Sequence, residues 1–465
     1  MFFQQKILNS VFELCPPDYA ESRRDKYLWI WKDIPHWMVL DDQMQRFLRS
    51  LKGRDSLKQL FAAQEIRKTE QKELIGVIQK LTTQGVLKNA AAKQSVVLSG
   101  DHLYEIVPIE NIALNLTKKC NLRCQYCYNL DRLTSQESDE LSSTEIIQFL
   151  KTIKPLLSKQ VSLAILGGEP LLFPKKLLEI ADFAVKNNIV PMVSTNGTMI
   201  DRCFAREAKR LGLEIQISLD SHSSTLCNAL RGSGVFEKIR ENMKILTEEG
   251  VYTILSMVCY EQNLPYIEDY FQLAASWKAD EARFIPLKKL GGAQSTNLRP
   301  AAHFDIIQTV VALLEKHPEY RRLLGRDCLS ILANTCRFSN KRNSCGTGLQ
   351  TFLLDSDGCL YPCLNTNRPD FSFGCIRDSS FDFNKIWHDS MILVQIRQAA
   401  SIENHSRVCH SCIVKYWCLG GCRGETCAVT GKLDAPSNHC KDLKMTLIEI
   451  FWILAEKSDI IATKA

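Results

Sequence analysis

No apolar run in this sequence is long enough to cross a membrane. The one nearest the end, LIEIFWILA (447–455), contains Glu449 and falls well short of the ~20 residues a span requires. The opening MFFQQKILNSVFELCPP lacks the basic n-region and apolar h-region of a secretory signal. Nor does charge of one sign dominate. Lys and Arg number 58 against 52 Asp and Glu, a formal +6. That balance suits an acidic peptide but falls short of a nucleic-acid footprint. These absences predict a cytoplasmic protein with no membrane and no nucleic-acid partner.

What the chain has in excess is cysteine, nineteen in 465 residues. A reducing compartment keeps thiols free of disulfides, so thiols bunched along such a chain point to metal. Three lie in CNLRCQYCYN (120–129), and most of the others fall from Cys328 to Cys440.

Residues 1–100 read as a small unit of their own. KYLWIWKD (26–33) and HWMVLD (36–41), split by Ile34-Pro35, predict a hairpin. Asp41 and Asp42 precede a helix with Met44, Phe47, Leu48 and Leu51 on one face. A further helix carries Leu74, Val77, Ile78 and Leu81 and stops at Gly85. Strands and helices in this mix predict a winged-helix-like module, followed by a linker over 89–108. From residue 111 strands and helices alternate. The strand candidates are IALNLT (112–117), VSLAIL (161–166), VPMVST (190–195), EIQISLD (214–220), TILSMV (253–258) and ARFIPL (282–287). Ser142 with Glu145 forms a capping box, and Pro174 suits the first turn of another helix. Such alternation predicts an α/β fold with a parallel sheet, open or curled toward a barrel. Beyond about 320 the periodicity fades into cysteine, glycine and aromatic residues, and 441–463 reads as a closing helix.

The motif C120-x3-C124-x2-C127 follows the first predicted strand, on the carboxyl-end face where such sheets hold ligands. Zinc favours four ligands, commonly in two C-x2-C pairs, yet the next Cys or His is Cys203. Three thiolates on a four-iron cube leave one iron open. This spacing, with GGEP (Gly167, Gly168, Glu169, Pro170) ending the second strand, resembles the signature of the radical S-adenosylmethionine enzymes. The resemblance implies a partial (β/α)6 TIM-type barrel in which Cys120, Cys124 and Cys127 hold a [4Fe–4S] cluster. The open iron would bind S-adenosylmethionine, whose reductive cleavage yields a radical that abstracts a substrate hydrogen. It further implies that GGEP receives the methionyl amine, and that Ser194 and Asn196 in STNG and Ser218 and Asp220 in SLD contact ribose and methionine. Arg231 would pair with the cofactor carboxylate, and Tyr126 adds aromatic surface nearby.

The later cysteines follow the order Cys345-x12-Gly358-x4-Cys363, then Cys409-x2-Cys412-x5-Cys418-x3-Cys422, then Cys440. The C-x2-C-x5-C-x3-C string alone also suits a zinc ribbon. The full order resembles the SPASM extension, which carries two auxiliary [4Fe–4S] clusters on peptide-modifying radical enzymes. That resemblance implies one cluster on Cys409, Cys412, Cys418 and Cys440. The other would sit on Cys345, Cys363 and Cys422 with an upstream fourth ligand, Cys336 in preference to Cys328, or with an open iron. Cys359, Cys375 and Cys427 fall outside the motif and read as ordinary thiols. Asp355 and Asp357, beside Gly358, are turn formers or a catalytic base.

The first hundred residues resemble the precursor-recognition (PqqD-like) element of peptide-maturing enzymes, which adds a leader peptide to a sheet edge. The domains are then a recognition element (1–100), a radical barrel (109–320), an auxiliary-cluster domain (321–445) and a C-terminal helix (446–465). The implied function is a peptide maturase that cross-links a ribosomally made precursor, with three [4Fe–4S] clusters and an electron donor such as flavodoxin or ferredoxin. The alternatives are a sulfatase-type maturase forming formylglycine and, in another class, a zinc-binding winged-helix regulator.

Overall fold

The computed structural model describes residues 7–90, 107–134, 139–325, 328–337, 342–457 and 459–460, the side chains of 328, 330 and 331 excepted. The N-terminal part holds six strands, β1 (Val11–Leu14), β2 (Tyr19–Arg23), β3 (Lys26–Trp31), β4 (His36–Asp41), β5 (Lys52–Ser56) and β6 (Leu87–Asn89). They form two three-stranded sheets, β5-β1-β6 and the antiparallel meander β2-β3-β4. The hairpin expected around Ile34-Pro35 is the β3–β4 turn, with Trp31 opposite His36. Helix Asp42–Ser50 starts where Asp41 caps the Met44 N–H, and helix Lys68–Thr83 follows. The four other strands lay beyond the sequence pattern, because runs such as KGRDS in β5 carry no apolar alternation. The expected linker lies for the most part outside the described residues.

Strand β3 shows how this part is joined to the rest. Successive side chains point to opposite faces. Leu28 and Ile30 belong to the main core of the molecule, whereas Trp29 and Trp31 belong to a second core under the N-terminal helices. From Leu28 onward β3 is therefore buried on both faces.

The central sheet contains β7 (Ile109–Asn115), β8 (Leu157–Leu166), β9 (Ile189–Thr195), β10 (Glu214–Ser218), β11 (Tyr252–Cys259), β12 (Glu281–Pro286), β13 (Thr351–Leu354), β14 (Cys359–Tyr361) and β15 (Gly374–Cys375). Its order is β12-β11-β10-β9-β8-β7-β13-β14-β15. The first six are parallel and sequential, the partial barrel expected from the strand–helix alternation. Helix Ser143–Ile153 begins with the Ser142–Glu145 capping box, and Pro174 opens helix Pro174–Lys186. Beyond expectation, β13 adds parallel to β7, and β14 and β15 continue antiparallel. The cysteine-rich region thus extends the barrel sheet. The chain closes with helix Cys440–Glu456, on which Trp37 of β4 stacks against Phe451 at 4.8 Å. Among the described residues no helix is long and apolar enough to cross a membrane.

Candidate active site at the strand ends

The loop after β7 carries Cys120, Cys124 and Cys127, and the loop after β8 lies directly on it. Gly168 N–H donates to the Thr117 carbonyl at 2.7 Å, and Glu169 N–H to the Lys119 carbonyl at 2.8 Å. Both glycines are required by this contact. A Cβ at Gly167, where φ is +142°, would stand 2.6 Å from the Thr117 oxygen, and one at Gly168 would overlap the Lys119 carbonyl. The Glu169 carboxylate is buried and holds the ends of β8 and β9 together. It accepts from Leu171 N–H at 2.9 Å, Thr195 Oγ1 at 2.6 Å and Asn196 N–H at 2.7 Å. Burial pushes this carboxyl above its ordinary range, against the pull of those donors. Its side chain thus serves the protein, which leaves backbone carbonyls for a ligand ammonium. Pro170 begins the short turn that follows.

Asn196 ties the STNG turn to the cysteine loop, because its Nδ2 donates to Asn121 Oδ1 at 2.8 Å. Ser194 Oγ accepts from Gln216 Nε2 at 3.2 Å, and Ser218 stands in register with Ser256 at the end of β10. Asp220 is fully buried and faces inward. Its Oδ2 accepts from Arg231 Nε at 2.5 Å and from the Tyr126 hydroxyl, while Oδ1 accepts from Val258 N–H at 3.1 Å. Arg231 also donates to the Tyr126 hydroxyl, with its guanidinium carbon 5.6 Å from that ring's centre. Asp220 therefore orients Arg231, and among the described residues the Nη1 edge of the guanidinium is left for a ligand carboxylate.

The three thiols share one electrostatic neighbourhood. Burial pushes all three up, Cys127 to about 11, and Cys120 and Cys124 both add to that effect. Glu169 acts on Cys120, and Arg231 opposes the shift at Cys124. Three soft ligands in one place, one backbone N–H on Cys120 Sγ at 3.4 Å, glycine-built walls and a buried cation fit a thiolate-bound iron cluster with an amino-acid moiety beside it. Sequence reasoning missed a second clamp. Gly291-Gly292, after β12, press on the cysteine loop, and Gly292 N–H donates to the Cys127 carbonyl at 2.9 Å. A Cβ at Gly292 would stand 2.6 Å from the Gln125 oxygen. The adjacent glycine pair was the available signal.

The later cysteines gather into two groups. Cys409, Cys412, Cys418 and Cys440 line one cavity of about 250 Å³. Burial and then the neighbouring thiols push Cys418 up to about 12. Cys345, Cys363 and Cys422 form the other group. Burial and then Cys422 push Cys363 up to about 11. Lys288, just past β12, faces them; burial opposes its charge, but Cys422, Glu425 and Cys363 outweigh it and raise the ammonium's pKa. The structure does not bring Cys336 to this trio. Its thiol is buried in the main core, burial alone raises it, and its carbonyl accepts the Trp37 indole N–H at 2.7 Å. Asp355 and Asp357 are held by cations from the first loop. Asp355 is buried against Asn115 Nδ2 at 3.0 Å and Arg132 at 3.3 Å, and Lys118 pairs with Asp357 at 2.5 Å. They pin the β13–β14 turn to the strand-end loop.

A parallel partial barrel with three thiols after its first strand, glycine-lined strand ends and thiol groups downstream defines the radical S-adenosylmethionine class. Residues 114–274 match the radical SAM superfamily and residues 345–413 match the SPASM iron–sulfur cluster-binding domain. The chain is a radical SAM enzyme with a SPASM domain, a class that uses S-adenosylmethionine and iron–sulfur clusters. It is similar to the mycofactocin maturase of Mycobacterium tuberculosis, 27% identical over 331 residues, 70% of this chain and 81% of that protein. The mycofactocin maturase of Mycobacterium ulcerans is 26% identical over 330 residues, 70% of this chain and 86% of that protein. Among solved structures, anSMEcpe with bound AdoMet aligns with a TM-score of 0.61 at 18% identity, over 75% of this chain and all of its own. Streptococcus suis SuiB bound to precursor peptide SuiA aligns with a TM-score of 0.57 at 15% identity, over 93% of this chain and 100% of its own. These two domain matches set aside a zinc-binding regulator.

Proposed function

We propose that this enzyme is a maturase that acts on a ribosomally made precursor peptide and closes an intramolecular cross-link, thioether or carbon–carbon. The observation that carries the reading is the pair of thiol groups beyond the barrel. Closing a bond between two side chains removes two hydrogens, and auxiliary clusters on Cys409/Cys412/Cys418/Cys440 and on Cys345/Cys363/Cys422 suit the electron so released. With the strand-end site this makes three [4Fe–4S] clusters. The relatives named as maturases, and the precursor peptide bound to SuiB, support a peptide substrate.

When bound, the cluster and S-adenosylmethionine supply hydrogen-atom abstraction. The protein's own residues bind and orient. Cys120, Cys124 and Cys127 are the cluster ligands, GGEP backbone receives the amine, Arg231 the carboxylate, and Ser194, Asn196 and Ser218 the ribose side. The meander β2-β3-β4 is the leader-binding element, with β2 and β4 as its edge strands, where main-chain hydrogen bonds would hold an added strand. A cytoplasmic flavodoxin or ferredoxin is the electron donor.

The test is anaerobic co-expression with a candidate precursor peptide that carries its leader, followed by mass spectrometry. A loss of about two mass units per cross-link is expected from the two hydrogens removed, with about twelve irons per chain for three cubes. A leader peptide supplied separately should accelerate turnover of a leaderless core. Formylglycine in the product, formed without leader dependence, would replace this reading with the sulfatase-type alternative.

A further inference from the structure

Two thiols of the Cys345/Cys363/Cys422 group share one partner. The 3-10 turn Leu364–Thr366 starts at Cys363, whose Sγ accepts the Asn365 backbone N–H at 3.2 Å. The Asn365 side chain reaches across and donates its Nδ2 to Cys422 Sγ at 3.4 Å. This crossing depends on the residue two past Cys422. A Cβ at Gly424 would overlap the Asn365 carbonyl and stand 2.7 Å from the Asn365 Cβ, so only glycine lets the turn lie against helix Arg423–Thr430. Among the described residues the other thiol groups take different donors. Cys120 accepts the Leu122 backbone N–H, Cys412 and Cys418 accept backbone N–H groups, and Cys409 accepts the Ser406 hydroxyl.

Resting on the reading that these three cysteines hold an auxiliary cluster, we propose that Asn365 is a positioning residue that sets that cluster's reduction potential. An N–H donor withdraws density from a thiolate and favours the more negative, reduced state. Asn365 does this at two ligands at once, so the cluster is easier to reduce than it would be with an apolar residue there. This is the group that Lys288, at the end of the last barrel strand, faces. Easy reduction at that place suits acceptance of an electron from the barrel side.

The test uses the full chain carrying Cys120→Ala, Cys124→Ala and Cys127→Ala, loaded anaerobically, so that only the auxiliary clusters remain. Redox titration followed by electron paramagnetic resonance reads both midpoints. Asn365→Leu keeps the backbone donor and removes Nδ2; one midpoint should move negative and the other stay. Asn365→Asp puts a carboxylate beside the thiolate and should move the same midpoint further, whereas Asn365→Gln should recover part of the shift. Unmoved midpoints in the Leu and Asp variants at parental iron content would overturn the proposal. Loss of iron from these variants would overturn it too, since the amide would then be a scaffold. A parent that holds about four irons instead of about eight would mean that the two-cluster reading itself is wrong.

Discussion

At the scale of single residues, the site rests on positions where no side chain fits and on one buried ion pair. Gly168→Ala places a methyl group into the Lys119 carbonyl. It should cost about 1–3 kcal/mol through overpacking and displace the cysteine loop, read as lost deoxyadenosine release. Gly76→Ala is the internal control. Nothing lies within 4 Å of a Cβ there, and in a helix interior alanine should gain about 0.5–1 kcal/mol. Arg231→Met leaves the fully buried Asp220 without its cation. Breaking such a pair costs about 3–5 kcal/mol, measurable by urea unfolding of the metal-free chain, and adding Asp220→Asn should restore part of it. Much of this site was legible in the sequence, since cysteine spacing and glycine pairs are local patterns. Asn365 and Thr195 were not, because their roles exist only where distant loops meet. Cys336, preferred over Cys328 as the upstream ligand although spacing does not choose between them, lies on helix Cys328–Arg337 with its thiol in the apolar core.

At the scale of elements, the six barrel strands were readable because strands covered on both faces are continuous apolar runs between capped helices. The short strands β13–β15 were not, since turns and thiols break any period there. Strand β4 yields a pH prediction. His36, at its head, is buried against Trp31 at 5.9 Å, and burial pushes its pKa down from 6.5 to about 4. The folded state disfavours the charged ring, so this contribution is complete above 6.5 and is lost as pH falls toward 4. Unfolding free energy followed from pH 7 to pH 4 should decline over that window, and His36→Phe should flatten the decline attributable to this group.

At the scale of the whole molecule, removing the N-terminal part is not a neutral truncation. Leu28 and Ile30 complete the main core, Arg23 pairs with Glu449 at 2.7 Å and Lys415 with Asp33 at 2.9 Å. A chain beginning at residue 91 should melt lower and aggregate, as seen by calorimetry and light scattering, so leader dependence is better probed with peptides than with deletions. The metal-free chain should also be alkali-sensitive. Cys127 ionises at about 11 when folded against an ordinary 9.0, so its thiol's contribution is present below 9.0 and vanishes as pH rises toward 11. Denaturation curves across that interval should show the loss, and cluster loading, which displaces those protons, should abolish it.

The helix that ends the fold begins at Cys440 and, three turns on, meets Trp37 through Phe451. A single helix thus has a thiol of the outer cysteine group at one end and the seat of the N-terminal sheet along its side. The outer cysteine group and the meander β2-β3-β4 are therefore braced by one element. Its middle is held in the main core through Leu447, Ile450 and Phe451, so a displacement at Cys440 is carried along the helix to the strand that Trp37 belongs to.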